Sequence, residues 1–225
     1  MRKSILLLPA PAILLMTVLV SSCSNDTGYV AVGSGTRYVN NAGRPQTVNL
    51  PDGSHVVLMD GTTIVVSKGF GKGDRDVEID GLGMFVVRPS GDTGGKPFVV
   101  HTGNLIIQVL DTAGAGGSAG SGADGSGSGA GRSGAGAGGS VAGTGGWDAR
   151  FAVEAVRKQP GEEADLLDGK LRVTKSYHSD TDNEPEELGA GDMVMINREI
   201  DLMEKEKMTG PEEDKVKEKY HIADK

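Results

Sequence analysis

The sequence predicts an all-β fold, either a sandwich or a barrel, that a long glycine-rich segment interrupts. Between residues 47 and 110, short runs rich in Val and Ile alternate with Gly, Pro and Asp. Runs of roughly five residues with such punctuation are typical of strands joined by tight turns. The same pattern resumes after Trp147, and no ten-residue stretch between 47 and 110 shows the periodicity of a helix.

The first 22 residues have the features of a lipoprotein signal peptide. Arg2 and Lys3 precede an apolar run over residues 5–20, shorter than the roughly 20 residues that span a bilayer. Small residues then precede Cys23, the one cysteine of the chain, as in the bacterial lipobox, where that cysteine is lipidated. An ordinary signal peptide followed by an unrelated cysteine is the alternative. We expect a lipid on Cys23 to provide a membrane contact, which places the protein in the bacterial cell envelope, at the periplasmic or outer-membrane surface.

The chain from Cys23 onward divides into four parts. Residues 23–46 are polar and contain several glycines, which is typical of a tether. Residues 113–146 hold 16 of the 36 glycines, and a segment that buries so little is expected to be disordered. The β pattern occupies residues 47–112 plus 147–200, which we assign to one domain because neither half has enough strands to close a sandwich. Residues 201–225 form a charged C-terminal tail.

The predicted strands follow one another at short intervals, at residues 47–50, 56–59, 62–66, 76–80, 84–88, 98–102, 105–110, 150–156, 163–167, 170–177 and 193–197. Asp-Gly pairs at residues 52–53, 60–61 and 168–169 tolerate the positive φ of tight hairpin turns. In the charged tail, i,i+4 pairs such as Glu213 with Lys217 favour helices over residues 200–208 and 212–221.

Four acidic residues alternate along one predicted strand: Asp74, Asp76, Glu78 and Asp80. Alternation places them on one face of the strand, so a metal site is one interpretation. A calcium loop of the EF-hand type needs Gly at its sixth position and Glu at its twelfth, whereas Ile79 and Phe85 stand there. We therefore favour a solvated strand face whose charges discourage pairing at a sheet edge.

Other polar candidates have simple structural interpretations. We interpret the acidic residues 180–184 as a solvent-exposed hairpin loop, with weak cation binding as the alternative. Residues 116–120 fit GxSxG and residues 120–125 fit GxGxxG, but without the strand and helix that a nucleophile elbow or a dinucleotide loop requires. The histidines show no metal-ligand spacing, and a convergence of three of them in space stays open; they are His55, His101, His178 and His221.

Charge and composition exclude several function classes. The net charge is −8 at pH 7, and no basic stripe offers the phosphate neutralisation that nucleic-acid binding requires. With a single cysteine, the chain has no disulfide framework and no cysteine-based metal site. We predict no catalytic residue, no cofactor and no metal site, and hence a protein that is not an enzyme.

Eight short motifs, read in order, resemble the FecR-type periplasmic domain. They are similar to its LPDGS opening, its F…R-x-V-x-L-x-G, F-x-V, PF-x-V-x-T and VLGT segments, and its later F-N-V, G-x-V-x-V and L-x-P-G-E segments. The matching residues are 50–58, 70–81, 85–87, 96–102, 109–112, 150–153, 168–173 and 188–192. The resemblance covers about residues 47–200 apart from 113–146, in a chain with the features of a lipoprotein.

This resemblance implies a jelly-roll-like β-sandwich of short antiparallel strands and a role in envelope signalling. Members of the family typically sense the state of an outer-membrane transporter and pass it to a cytoplasmic sigma factor. The chain departs from the family in beginning with a signal peptide instead of a sigma-binding region, and in carrying Leu82 for Glu and Asp111 for Gly. The glycine-rich insertion is mild, because loop closure costs only about 0.6 kcal/mol per doubling of length.

We therefore expect a non-catalytic envelope lipoprotein that acts through protein–protein contacts, with a transporter or a regulator as its partner. Exposed strand edges or the loops at the ends of the sandwich are the expected contact surfaces. The alternative is a cell-surface structural or carbohydrate-binding module, since jelly rolls also form lectins. Lectin sites often need exposed aromatic rings, and Trp147 with a few tyrosines would have to supply them.

Overall fold

The computed structural model describes residues 35–89, 95–110 and 149–222. In these residues strands dominate, and a helix follows the last strand. The elements are β1 (Gly35–Val39), β2 (Gln46–Asn49), β3 (His55–Leu58), β4 (Thr63–Ser67), β5 (Asp76–Val87), β6 (Val99–His101), β7 (Leu105–Val109), β8 (Ala149–Ala155), β9 (Gly161–Asp168), β10 (Lys170–Lys175), β11 (Glu186–Gly189), β12 (Asp192–Asn197), β13 (Leu202–Lys207) and α1 (Gly210–Lys219).

The strands form two sheets that share β5. Sheet A has the order β1–β4–β5–β6–β7–β10–β11, and sheet B has the order β2–β3–β5–β8–β9–β12–β13. Residues 76–80 of β5 pair within sheet A, and residues 81–87 pair within sheet B. The predicted all-β sandwich is confirmed. One pairing departs from the expected antiparallel arrangement, because β5 and β6 run parallel.

The inner faces of the two sheets enclose one hydrophobic core. It includes all four phenylalanines of the chain, Phe70, Phe85, Phe98 and Phe151. Phe85 stacks on Phe151 with ring centroids 5.1 Å apart, and Phe98 meets Phe85 edge-on at 6.1 Å. Phe98 leads into β6 of sheet A and Phe151 lies on β8 of sheet B, so these ring contacts join the two sheets.

Gly81 marks the point where β5 passes from sheet A to sheet B. Its φ is +124°, and a Cβ at this position would lie 2.6 Å from Thr62 Oγ1 and 2.8 Å from Thr62 Cα. The Thr62 hydroxyl accepts a hydrogen bond from Leu82 N at 2.9 Å and donates one to Leu82 O at 3.0 Å. Because only glycine combines this backbone angle with this approach, Gly81 and Thr62 together fix the corner.

Strand β1 lies inside the range 23–46 that the sequence predicts as a tether, and so does Gln46 of β2. β1 pairs with β4 from Gly35 opposite Ser67 to Val39 opposite Thr63. All five of its residues are exposed, so the strand has no apolar face and therefore no alternation that a sequence could reveal. Residues 35–39 and Gln46 therefore belong to the two sheets and not to a tether.

The C-terminal residues add a strand that the sequence analysis assigned to a helix. The predicted helix over residues 200–208 is wrong, because β13 pairs with β12 along its whole length and extends sheet B beyond residue 200. Its sequence, LMEKEK, alternates charge sign with a period of two, which suits a strand as well as i,i+4 pairing suits a helix. Backbone hydrogen bonds to β12 decide between them.

Helix α1 covers part of the outer face of sheet B. The Glu212 carboxylate accepts hydrogen bonds from Thr209 N at 2.7 Å and from Thr209 Oγ1 at 2.8 Å, at the start of the helix. At its end, Tyr220 is buried against Met84 and Ala152. Lys219 Nζ lies 2.8 Å from Glu154 Oε2 of β8. The helix is thus held to the sheet mainly by its last turn.

Several predicted features lie outside the described residues: the signal peptide over residues 1–22, Cys23, the insertion over residues 113–146, and Trp147. Among the residues that the structure does describe, no helix combines the length and the apolar character needed to cross a bilayer.

Replacing Gly81 tests the corner of β5. We expect Gly81→Ala to lower the free energy of unfolding by about 3 kcal/mol, because positive φ and the clash with Thr62 act together. Gly61→Ala is the matched control: its φ is +77° but nothing lies within 4 Å of its Cβ position, so about 1 kcal/mol is expected. Urea unfolding measures both, and equal losses would contradict the role assigned to Thr62.

Candidate functional site

The residues that carry the family resemblance meet at a buried ion pair. Arg75 Nη2 and Nε lie 2.7 and 2.9 Å from Asp52 Oδ2, and each side chain is only 1% exposed. Arg75 also donates to Arg88 O at 2.6 Å, and its guanidinium lies 5.3 Å from the centre of the Phe98 ring. The Arg75 side chain thus joins the β2–β3 turn, the start of β5 and the segment before β6.

The carboxylate of Asp52 is held from its own side of the pair as well. Its Oδ1 accepts from Ser54 N at 2.8 Å, and its Oδ2 accepts from Ser54 Oγ at 2.9 Å. Ser54 Oγ in turn accepts from Arg88 N at 2.9 Å. The side chains of Asp52 and Ser54 are thus engaged inside the fold, so these two residues of the LPDGS motif serve the structure.

The four alternating acids do not form a metal site or an edge strand. β5 pairs on both sides, so the prediction that these charges discourage edge pairing is wrong. Asp74 accepts from Ser67 Oγ, and Asp76 Oδ2 lies 3.6 Å from His101 Nε2. Arg157 lies 3.6 Å from Glu78 and 3.2 Å from Asp80. Each of the four carboxylates therefore has a hydrogen-bond donor or a basic side chain of the domain close by.

The histidines are dispersed over the fold. His55 lies on β3 of sheet B, His101 on β6 of sheet A, His178 in the loop after β10, and His221 after α1. Burial, followed by the charge of Arg88, lowers the pKa of His55. Within residues 35–89, 95–110 and 149–222, no group of three or more His, Cys, Asp or Glu side chains could hold a metal ion.

The predicted acidic loop, residues 180–184, is positioned by the carboxylate of Asp201, which lies outside that loop in the sequence. Residues 180–184 lie in the loop between β10 and β11, which confirms a hairpin connection. Asp201 Oδ2 accepts from Ser179 Oγ at 2.7 Å, and its Oδ1 lies 3.0 Å from Lys175 Nζ and 3.1 Å from Tyr177 Oη. The pKa of Asp201 is lowered, and the hydrogen bond from Ser179 is the largest cause of this shift. Lys175 supplies the positive charge that a bound cation would otherwise bring.

Glu162 closes one end of the sandwich. It is the second residue of β9 of sheet B and is 6% exposed. Its carboxylate accepts hydrogen bonds from Thr102 Oγ1 and, at 3.0 and 3.1 Å, from Asn104 N in the β6–β7 turn of sheet A. Burial raises its pKa above the usual glutamate range. A cleft of about 620 Å³ lies beside it, lined in part by Lys158 and Arg198. No sequence pattern signals Glu162, because its hydrogen-bond partners lie about sixty residues away in the chain.

The outer face of sheet B gathers carboxylates that the sequence analysis also missed. Glu154 of β8 lies directly opposite Glu163 of β9, and Asp165 follows two residues later on the same face. Burial, with the charge of Glu163 next in importance, raises the pKa of Asp165 to about 7. No periodicity within one strand signals this group, because it depends on the register between strands.

The fold and its buried motif residues are similar to those of a β-sandwich domain of the FecR type. The family model described as FecR protein matches residues 36–124 of the chain, and the predicted resemblance is confirmed. No curated protein matches the chain by sequence.

Solved structures show the same fold. Two crystal structures of a "putative anti-sigma factor" from Parabacteroides distasonis ATCC 8503, at 2.50 and 1.65 Å resolution, are 22% identical to this chain, with TM-scores of 0.51 and 0.50. Each match covers 76% of this chain and 59% of the other. The chain therefore spans well under two thirds of the Parabacteroides protein, and the likeness concerns the fold.

A double-mutant cycle tests the buried ion pair. We expect Arg75→Met to lower the free energy of unfolding by about 3–5 kcal/mol, because it leaves the Asp52 carboxylate buried without its cation. Asp52→Asn should be similarly costly, whereas the double variant should lose much less than the sum. Arg172→Met, which breaks the exposed pair with Glu187, is the control and should leave unfolding nearly unchanged. Additive losses in the cycle would contradict the coupling.

The pH dependence of stability tests Asp165. Its folded pKa of about 7 lies above its ordinary value of 3.8, so the folded protein loses stability as pH rises between these two values. We expect Asp165→Asn to raise the free energy of unfolding by on the order of 1–3 kcal/mol at pH 8 and to make little difference near pH 4.

The control for this measurement is Asp168→Asn on the same strand, whose side chain is 59% exposed beside Arg150. Urea unfolding from pH 4 to 8 compares both variants with the wild type. A constant offset for Asp165→Asn across that range would contradict the assignment.

Proposed function

We propose that this chain is a non-catalytic, lipid-anchored envelope protein whose FecR-type domain acts through protein–protein contacts in signalling regulation. The observation that carries the proposal is the FecR match over residues 36–124. The description of the Parabacteroides protein as a "putative anti-sigma factor" points in the same direction. Proteins of this class transmit a state by binding another protein, and they need no reaction centre.

The use of the polar residues supports a binding role. The motif residues Asp52 and Arg75 form a buried ion pair with each other. The acidic side chains of β5 lie close to His101 and Arg157. What the described domain presents outward is a set of strand edges: β1 and β11 end sheet A, and β2 and β13 end sheet B. Edge strands of this kind accept partner strands or loops.

The position of β1 limits how far the domain can lie from a lipid attached to Cys23. β1 begins at Gly35, twelve residues after Cys23 in the sequence. Even a fully extended chain spans at most about 3.6 Å per residue, so a lipid on Cys23 would keep the domain within roughly 40 Å of the bilayer surface. Such a short reach suits a partner that is itself embedded in, or attached to, the same membrane.

Crosslinking in intact cells tests this proposal. The wild type and Cys23→Ala are expressed with a fatty-acid analogue and an affinity tag, then crosslinked, and recovered proteins are identified by mass spectrometry. We expect the label on the wild type alone, and recovery of a transporter or regulator that decreases strongly in Cys23→Ala. Equal labelling of both forms would contradict the anchor. Recovery of glycans without any protein partner would contradict the signalling role and favour the carbohydrate-binding alternative.

A further inference from the structure

A groove on the outer face of sheet B combines acidic walls with an apolar floor. Along one row of the sheet, Glu154 of β8 faces Glu163 of β9, Glu163 faces Met195 of β12, and Met195 faces Glu204 of β13. The groove has a volume of about 360 Å³ and reaches Leu202 at the sheet edge. We call it the acidic groove: Glu154, Glu163 and Glu204 form its walls, and Met195 and Leu202 form its floor.

The arrangement of charge in the acidic groove is unfavourable for the isolated domain. Like charges directly opposite each other on neighbouring strands destabilise a sheet. Glu154 and Glu163 are such a pair, and Lys219 offsets the charge of Glu154. The crowding extends to Asp165, whose pKa burial and Glu163 raise to about 7. A cationic group placed in the groove would relieve this repulsion.

The floor of the acidic groove adds an apolar surface. Leu202 is 43% exposed, and Met195 is half-buried between the two glutamates of its row. Methionine side chains adapt to partners of different shape, which makes them frequent in peptide-binding surfaces. The groove therefore fits a segment that carries apolar and basic side chains together, better than it fits a free metal ion.

Helix α1 shows how such a segment binds to this face. Its Lys219 lies 2.8 Å from Glu154, at one wall of the acidic groove, while the adjacent Tyr220 is buried against Met84 and Ala152. A basic and an aromatic residue in sequence thus already dock on sheet B from within the chain. The groove itself stays open beyond Glu154.

We propose that the acidic groove docks a basic amphipathic segment of a partner protein. Lys or Arg side chains of that segment meet Glu163 and Glu204, and its apolar side chains rest on Met195 and Leu202. This inference rests on the proposed function, because it names the chemistry of the partner surface that a signalling contact would use. Charge complementarity makes the contact sensitive to salt and favours rapid association.

Binding of defined peptides to the full chain tests the inference. The probe is a fluorescein-labelled amphipathic Lys/Leu helix of 14 residues or so, and its counterpart has Glu in place of every Lys. We expect the Lys/Leu probe to bind the wild type and the Glu/Leu probe not to bind. The double variant Glu163→Gln with Glu204→Gln should weaken binding of the Lys/Leu probe by about tenfold, because two facing charges are lost.

A matched control removes two carboxylates elsewhere. Asp168→Asn with Glu187→Gln takes away the same charge from the far end of β9 and from β11, and it should leave the affinity unchanged. The reversed variant Glu163→Lys with Glu204→Lys should bind the Glu/Leu probe instead. Urea unfolding midpoints of all variants confirm that they are folded. Equal weakening by the control pair, or binding of both probes by the wild type, would overturn the inference.

The crosslinking experiment separates this inference from the proposed function. If a protein partner is recovered in equal yield from the wild type and from the Glu163→Gln, Glu204→Gln variant, the acidic groove is not its docking site, although the signalling role stands. If no protein partner is recovered while the Lys/Leu probe binds as expected, the groove stands and the signalling role fails.

Discussion

The ion pair between Asp52 and Arg75 is the contact on which the rest of the fold depends. It ties the β2–β3 turn of sheet B to the start of β5, and Arg75 also lies over Phe98, which leads into β6 of sheet A. Burial of two charges contributes little net stability, but breaking one partner is costly. The pair therefore acts as a constraint on register: it selects the one arrangement in which both charges are satisfied.

Strand β5 carries that constraint through both sheets. Its first half belongs to sheet A and its second half to sheet B, and Gly81 with Thr62 sets the corner between them. At one end of the sandwich, Glu162 joins the sheets again through the β6–β7 turn. β7 of sheet A and β8 of sheet B flank the insertion in the sequence and do not pair with each other. Because no hairpin register depends on this connection, a long insertion there leaves the strand pairings intact.

The sequence was sufficient to predict those strands that bury one face, since Val and Ile then alternate with polar residues. It was insufficient for β1, whose five residues are all exposed, and for β13, whose charges suit helix and strand equally. Motif residues such as Asp52 and Arg75 could be identified one by one, but their contact spans 23 residues. The acidic groove could not be predicted from the sequence, because it exists only through the register between four strands, β8, β9, β12 and β13.

The two acidic faces of the domain differ in a way that bears on function. On β5, Arg157 lies close to the carboxylates of Glu78 and Asp80, so a cation within the fold offsets the negative charge of that face. On sheet B, Glu163 and Asp165 instead lie on the same face of one strand, and burial, followed by the charge of Glu163, raises the pKa of Asp165. A chain that already has a net charge of −8 gains nothing in stability from this crowding. The proposed cationic partner would relieve this repulsion on binding, so the same crowding increases the affinity of the groove for that partner.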